Sequence, residues 1–410
     1  MTTREECQTL DLEDELAPLR NEFLLNYDEI YLDGNSLGPV SRGVSSHVND
    51  VVDHEWGKQL VRGWNDAGWM AMPTRIGDRI ATLIGAHSGE VVVADTLTIA
   101  LAKLIGGALK LRPDRHVIVT DVDNFHSDLY IAQAMSAYGG RPITVKAVSR
   151  GSLDEALNDD VALVMLTHVD FRNGEMLDLK GITEKAHDVG ALMLWDFAHS
   201  TGAVPLNVEE AKVDFAAGCG YKYLNGGPGA PAYMYVRALW QGVIENPLPG
   251  WLGHARPFDF EPEFEPAKGV QSFVTSSPSI LALSALDGAL DVFDQTSMNA
   301  IRAKSLHLTD LFMELVEAKL PATFEIVTPR EYAHRGSQVS MRHDESYGII
   351  QALIERGVIG DFRAPDIARF GFTPLYLRFV DVYDAVEILA DVMSSEAHRD
   401  PKFATRNAVT

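Results

Sequence analysis

Apolar residues along this chain follow two rhythms. Short apolar runs occur at 90–95 (EVVVAD), 116–121 (HVIVTD), 161–168 (VALVMLTH), 191–196 (ALMLWD), 213–219 (VDFAAGC) and 230–236 (APAYMYV). Between them, stretches such as 98–111 (TIALAKLIGGALKL) and 181–190 (GITEKAHDVG) carry apolar residues at helical spacing. Short continuous runs predict strands buried on both faces. Their alternation with helices predicts an α/β fold, with a mainly parallel sheet covered on both sides.

The flanks follow other patterns. Residues 1–50 read as an N-terminal arm: an acidic amphipathic stretch, then IYLDGNSLGPV (30–40), a short strand ending in turn residues. Residues 245–275 are rich in Pro, Gly and aromatics and predict a long irregular excursion. Helical patterns return at 276–293 and 300–320, and 322–393 alternates between strand-like and helical runs. The expected organisation is an arm (1–50) contributing to a small domain, a large domain (51–290) and a small α+β domain (291–410).

Composition narrows the function. The chain has 410 residues, enough for about two domains, with 46% hydrophobic residues and a formal net charge of −23. Its mean hydropathy is −0.04. So acidic a chain is unsuited to nucleic acid, whose phosphates call for clustered Lys and Arg, and to an anionic membrane surface. Two cysteines, Cys7 and Cys219, build neither a disulfide framework nor a thiolate metal cluster. The first 20 residues are acidic and lack an apolar core, and no apolar run reaches membrane-spanning length. The expectation is a cytoplasmic protein with a small-molecule substrate, no metal, no nucleic-acid partner and no membrane partner.

In open α/β sheets ligands bind beyond the carboxyl ends of the strands. After 90–94 come Asp95, Thr96, Leu97 and Thr98, an N-cap signature whose helix offers free N–H groups to an anion such as phosphate. After the second run come Phe125 and Asp128, after the third Thr167 and His168, and after the fourth Asp196 and His199. The fifth run leads into a glycine-rich loop, 218–229 (GCGYKYLNGGPG), that carries Lys222. Taken singly, Asp196 is a turn or cap residue, Phe125 core, Thr98 a cap and Lys222 solvated. Together they place an anion site, a flat aromatic face, a carboxylate, an imidazole and an amine along one edge. That set suits pyridoxal 5′-phosphate: lysine for the Schiff base, aspartate for the ring nitrogen, an aromatic to stack. Other motifs fail. HEWGK (54–58) has Lys58 where a zinc helix needs its second histidine, and no phosphate-binding loop or nucleophile elbow is present.

Four motifs, YLDGNSLGP (31–39), NFHSDLY (124–130), WDFAHSTGAVPL (195–206) and GYKYLNGGPG (220–229), resemble kynureninases in content and order. The resemblance runs from about residue 28 to 390. It implies the fold of type I pyridoxal-phosphate enzymes, with a mainly parallel seven-stranded sheet between helices and a small α+β domain. It also implies a homodimer with shared active sites, and hydrolysis of L-kynurenine to anthranilate and L-alanine in tryptophan degradation. By matching motifs, Lys222 carries the cofactor, Asp196 pairs with its ring nitrogen, His199 supports that pairing and Phe125 stacks on the ring. Leu97, Thr98, Asp128, Thr167 and Tyr221 complete the cofactor shell, and Tyr221 doubles as a proton donor. Trp251 and Ser277 match positions that reach the cofactor phosphate from a partner subunit. Arg369 matches the arginine that holds the substrate α-carboxylate; Asn35, Ser36 and Trp64 are assigned to the substrate. One departure is His126, where relatives often have proline. Cysteine desulfurases and aminotransferases of the same fold are the alternative; a desulfurase needs a mobile catalytic cysteine, a role that neither Cys7 nor Cys219 fits.

Overall fold

The computed structural model describes residues 2–138 and 140–406. A two-residue strand, β1 (Ile30–Tyr31), precedes the central sheet of β2 (Val91–Val93), β3 (Val117–Asp121), β4 (Thr144–Val148), β5 (Val161–Thr167), β6 (Leu192–Asp196), β7 (Phe215–Cys219) and β8 (Ala232–Val236). Their order across the sheet is β2-β8-β7-β6-β5-β3-β4. All pairings are parallel except those of β8, which runs antiparallel to both β2 and β7.

Period-two alternation feeds two cores, one on each face. Val164, Leu166, Met193 and Trp195 point to one cluster; Leu163, Met165, Leu192 and Leu194 point to the other. A strand buried on both faces has no polar side, so it reads as an unbroken apolar run. That logic found six of the seven strands and missed β4. This edge strand pairs only with β3, carries Lys146 at its centre and has no fully buried residue. Edge strands are commonly marked by charge rather than by apolar residues.

The carboxyl-terminal part holds an antiparallel sheet of β9 (Glu325–Ile326), β10 (Gln338–Arg342), β12 (Asp361–Arg363) and β13 (Ile367–Gly371), in the order β12-β13-β10-β9. The remaining strand, β11 (Val358–Ile359), pairs in parallel with β1. The first helix, Arg4–Glu13, packs on the helix Phe379–Ser394, and Arg4 bonds Asp384 at 2.7 Å. Buried Lys304 pairs with Asp14 at 2.6 Å. The segment 245–275 is irregular, with two short turns, Trp251–Gly253 and Gly269–Phe273, and one bridge between His254 and Pro266. Among the described residues, no helix is long and apolar enough to cross a membrane.

Candidate active site

Strand register builds the first half of the site. Thr167 ends β5 and Asp196 ends β6, and the two residues are direct neighbours in the ladder; Asp196 in turn neighbours Ala217 of β7. The Thr167 hydroxyl lies 3.4 Å from Asp196 and 3.5 Å from Asp128, and also donates to Asn124. The Ala198 N–H donates to Asp196 at 2.8 Å. Three residues past Asp196, His199 Nε2 meets Lys222 Nζ at 2.9 Å. Lys222 Nζ also sits 5.9 Å from the Phe125 ring centre and 5.8 Å from that of Tyr221.

The glycines around Lys222 have a steric reason. A Cβ on Gly38 would lie 2.4 Å from the Lys222 carbonyl oxygen, closer than any real contact. Gly38 N–H instead donates to the Tyr221 carbonyl at 2.8 Å, so the GNSLG turn clamps the lysine loop. Gly227 and Gly229 take positive φ values of +87° and +77°, which side chains other than glycine resist. The lysine is therefore held by backbone contacts while its amine points at His199 and Phe125.

Burial sets the charges. It pushes the Asp128 carboxyl well above its usual range, reinforced by the neighbouring Asp196 charge. Burial raises Asp196 too, against the pull of Lys222. Two carboxyls in one dry site cannot both ionise freely, so the pair tends to keep one proton. Burial and the Lys222 charge hold the His199 imidazole neutral. Buried His168 is pushed down to about 4; its Nδ1 meets Ser200 Oγ at 2.9 Å.

The second half of the site comes from the smaller sheet. Asp361 of β12 stands directly opposite Arg369 of β13. Arg369 is 1% exposed and grips Asp361 through both carboxylate oxygens, with Nε to Oδ1 at 2.8 Å. It also donates to Ser36 Oγ at 2.8 Å and to the Phe171 carbonyl. Asn35 is fully buried, and neither its side-chain oxygen nor its nitrogen has a partner.

The structure thus brings together Phe125, Asp128, Thr167, Asp196, His199, Tyr221 and Lys222, and sets Arg369 with Ser36 beside them. Leu97 and Thr98 open the helix Leu97–Leu111, where the Thr96 side chain makes no cap and the first N–H groups stay open. His126 begins the helix His126–Tyr138, its ring 4.3 Å from that of Phe125. Trp64 is half-buried and packs edge-on against Trp69 at 5.6 Å. Trp251 is exposed and packs on Phe258 at 5.5 Å, and Ser277 is exposed. Among the described residues, no hydrogen bond or ring contact joins these three to Lys222. Sequence reasoning missed Asn124, Phe171, Asp33, Asp361 and Arg363. A signal existed for two of them: Asp361 and Arg363 alternate on β12, so both face the side that Arg369, the ladder partner of Asp361, also faces.

Comparison with known proteins bears on what this site serves. A family model described as the kynureninase C-terminal domain matches residues 301–389. Kynureninase from Burkholderia pseudomallei (strain K96243) is 50% identical over 416 residues, covering 100% of both chains. Kynureninase from Pseudomonas fluorescens is 48% identical with the same coverage. The chain belongs to the kynureninase family. Solved structures of similar fold include a cysteine desulfurase from Thermococcus onnurineus NA1, with TM-score 0.78, 18% identity, and 93% and 97% of the two chains covered. A C-DES mutant with glycine covalently linked to its PLP cofactor gives TM-score 0.77 at 18% identity, covering 91% of this chain and 99% of that one. At that identity the likeness is one of fold. The chain also departs from the desulfurase reading, since Cys7 and Cys219 are both buried. Burial raises both thiols, Cys7 to about 11, whereas a nucleophilic cysteine needs an accessible thiolate.

Proposed function

We propose that this chain is a pyridoxal 5′-phosphate-dependent hydrolase that cleaves the Cβ–Cγ bond of L-kynurenine, adding water to give anthranilate and L-alanine. The observation that carries this reading is 50% identity to a kynureninase over the whole of both chains. The residues present fit the cofactor. His199 Nδ1 and Asp128 Oδ1 are buried without partners, the first turn at Leu97 and Thr98 is open, and Lys222 makes no salt bridge among the described residues.

Pyridoxal phosphate, when bound, supplies a carbonyl for amines and a ring that takes up negative charge developing at the substrate. Lys222 is the residue that carries it and the base that takes the Cα proton. Asp196 holds a proton at the ring nitrogen, with Thr167 and the Ala198 N–H fixing its orientation. Asp128 and His199 lend the hydrogen bonds their unpartnered atoms still have to give. Phe125 presents the flat face, and the N–H groups at Leu97 and Thr98 take the phosphate. Arg369 anchors the α-carboxylate, with Ser36 and Asn35 beside it. Tyr221, its phenol pushed up by burial, remains protonated and is the donor to Cβ.

Trp251 and Ser277 belong, on this reading, to the phosphate site of a second copy in a homodimer; their exposure here supports that assignment. The pairing of β1 with β11 supports placing the arm, 1–50, with the small domain at 291–410 rather than with the large domain at 51–290. On this reading the enzyme acts in tryptophan degradation in the cytoplasm, in keeping with its acidic composition. The direct test is incubation with L-kynurenine, read by anthranilate fluorescence. No fluorescence from cofactor-loaded protein would overturn the reading.

A further inference from the structure

Behind Arg369 lies a second carboxyl that the reaction does not use. Asp33 sits in the turn between β1 and the lysine clamp, where its carbonyl accepts from the N–H groups of Ser36 at 2.9 Å and Leu37 at 3.1 Å. Leu32 ties the turn to both neighbouring strands, through Ile359 and Gly371, each at 2.7 Å. The two carboxyls of this cluster are treated unequally. Asp361 collects donors from Ser36 at 2.7 Å, from Arg369 Nε at 2.8 Å, and from the terminal nitrogens of Arg369 and Arg363. Asp33 Oδ1 is buried with no donor at all.

We propose that Asp33 is a positioning residue for the substrate carboxylate: protonated, it leaves Asp361 the one anion among Arg363 and Arg369, so that a surplus positive charge faces the ligand. This rests on the reading that Arg369 holds the α-carboxylate. The charges follow from the contacts. Two guanidiniums against one carboxylate leave a net single positive charge, which suits a monoanion. The other groups facing Asp33 are Tyr31, Tyr223 and Tyr376, whose phenols burial raises, so they are neutral. Burial and the Asp361 charge push Asp33 up to about 8, while Arg369 and Arg363 hold Asp361 at about 2 despite its burial. The carboxyl whose Oδ1 has no partner is the one that keeps the proton.

The sign is then fixed. As pH rises through about 8, Asp33 loses its proton, the cluster falls to zero net charge, and the grip on an anion weakens. The test uses the holoenzyme and the KM for L-kynurenine between pH 6.5 and about 9.5, in parallel with the inhibition constant of the decarboxylated analogue, which lacks the carboxylate. In the wild type, KM should climb roughly tenfold across this range, the scale of one charge lost in a half-buried site. In Asp33→Asn, KM should stay within about twofold, because the amide never ionises. The analogue's constant should lack the tenfold rise in the wild type. A wild-type-sized rise retained by Asp33→Asn, or an equal rise for the analogue, would overturn the proposal. The analogue arm decides if the variant fails to fold. Arg369→Lys separates the two readings: an unchanged KM in that variant removes the carboxylate assignment itself, whatever Asp33 does.

Discussion

Replacing Asp196 with asparagine should do two opposite things. Without cofactor, Asp196 and Asp128 form a buried pair with raised affinities for protons, the first 2% exposed and the second fully buried. Asp196 has one good donor, the Ala198 N–H at 2.8 Å; the Thr167 hydroxyl at 3.4 Å is marginal. Two unit charges about 4 Å apart repel by about 4 kcal/mol at an effective dielectric constant of 20. Retaining a proton between them avoids most of that, and Lys222 offsets part of the rest, leaving a net strain of about 2 kcal/mol at pH 8. Asparagine keeps the acceptor for Ala198, gains an amide donor for Asp128, and removes the charge. At about 2.1 cal/mol/K per residue, a 410-residue chain has an unfolding entropy near 0.9 kcal/mol/K, so relief of the strain raises Tm by about 2 °C.

The pH dependence gives the sharper reading. A carboxyl whose proton affinity is raised in the folded state contributes stability that is complete below its ordinary value of about 4 and lost as pH rises through the raised one. The wild-type apoprotein should therefore lose ground to Asp196→Asn as pH rises, with little difference at pH 4.5 and the full gain at pH 8. Calorimetry of cofactor-stripped protein at one fixed scan rate measures it. With cofactor the sign reverses: a neutral amide cannot hold a proton at the ring nitrogen, and turnover should fall by about a thousandfold, the factor that ~4 kcal/mol represents. An apo-variant no more stable than wild type at pH 8 would refute the electrostatic account; near-normal turnover would place the ring's carboxylate elsewhere.

Three further outcomes are expected. Lys222→Ala should abolish turnover while the far-ultraviolet dichroism stays that of the wild type; retained activity would remove the pyridoxal-phosphate role from this loop. Arg369→Lys should raise KM at least tenfold with a smaller effect on kcat, because an ammonium cannot reproduce the forked grip on Asp361 and a carboxylate together. L-kynurenine should be preferred to 3-hydroxykynurenine by roughly tenfold in kcat/KM, since Trp64 can only donate from its one N–H and a buried hydroxyl without a partner costs about 1–3 kcal/mol; a reversed ratio would move the selectivity away from Trp64 and Ser277.

The placement of the residues proposed to hold the cofactor was legible because they follow strands that are buried on both faces. Thr167, Asp196 and the Lys222 loop each stand at the end of an unbroken apolar run, so the pattern that defines the strand also points to the residue after it. Of the proposed substrate half, the sequence pointed only to Arg369, Ser36, Asn35 and Trp64, through resemblance. Asp361 and Arg369 are eight positions apart in sequence and become partners only through the β12–β13 register, which no periodicity states. Asp33 is harder still: it reaches Asp361 because β1 joins β11 across more than three hundred residues of chain. Strand β4 was missed for a different reason, since an edge strand with exposed residues has no apolar run to read.

The two halves lie on different sheets, and a short segment joins them. Asp170 accepts from Arg150, and its other oxygen takes the N–H groups of Arg172 at 2.7 Å and Asn173 at 3.0 Å, so the turn is held from within. The Phe171 ring meets Phe125 edge-on at 5.0 Å and 84°, while its carbonyl accepts from Arg369 and from Gln338 at 3.1 Å. The Arg172 carbonyl accepts from Ser340, and the Asn173 carbonyl from Thr328 at 2.6 Å. One residue, Phe171, thus touches Phe125 with its side chain and Arg369 with its backbone. A misplacement of about 1 Å between reacting groups can cost a hundredfold in rate. The Asp170 turn and its backbone contacts thus link the Phe125 ring to Arg369, the two groups proposed to meet the cofactor ring and the substrate carboxylate.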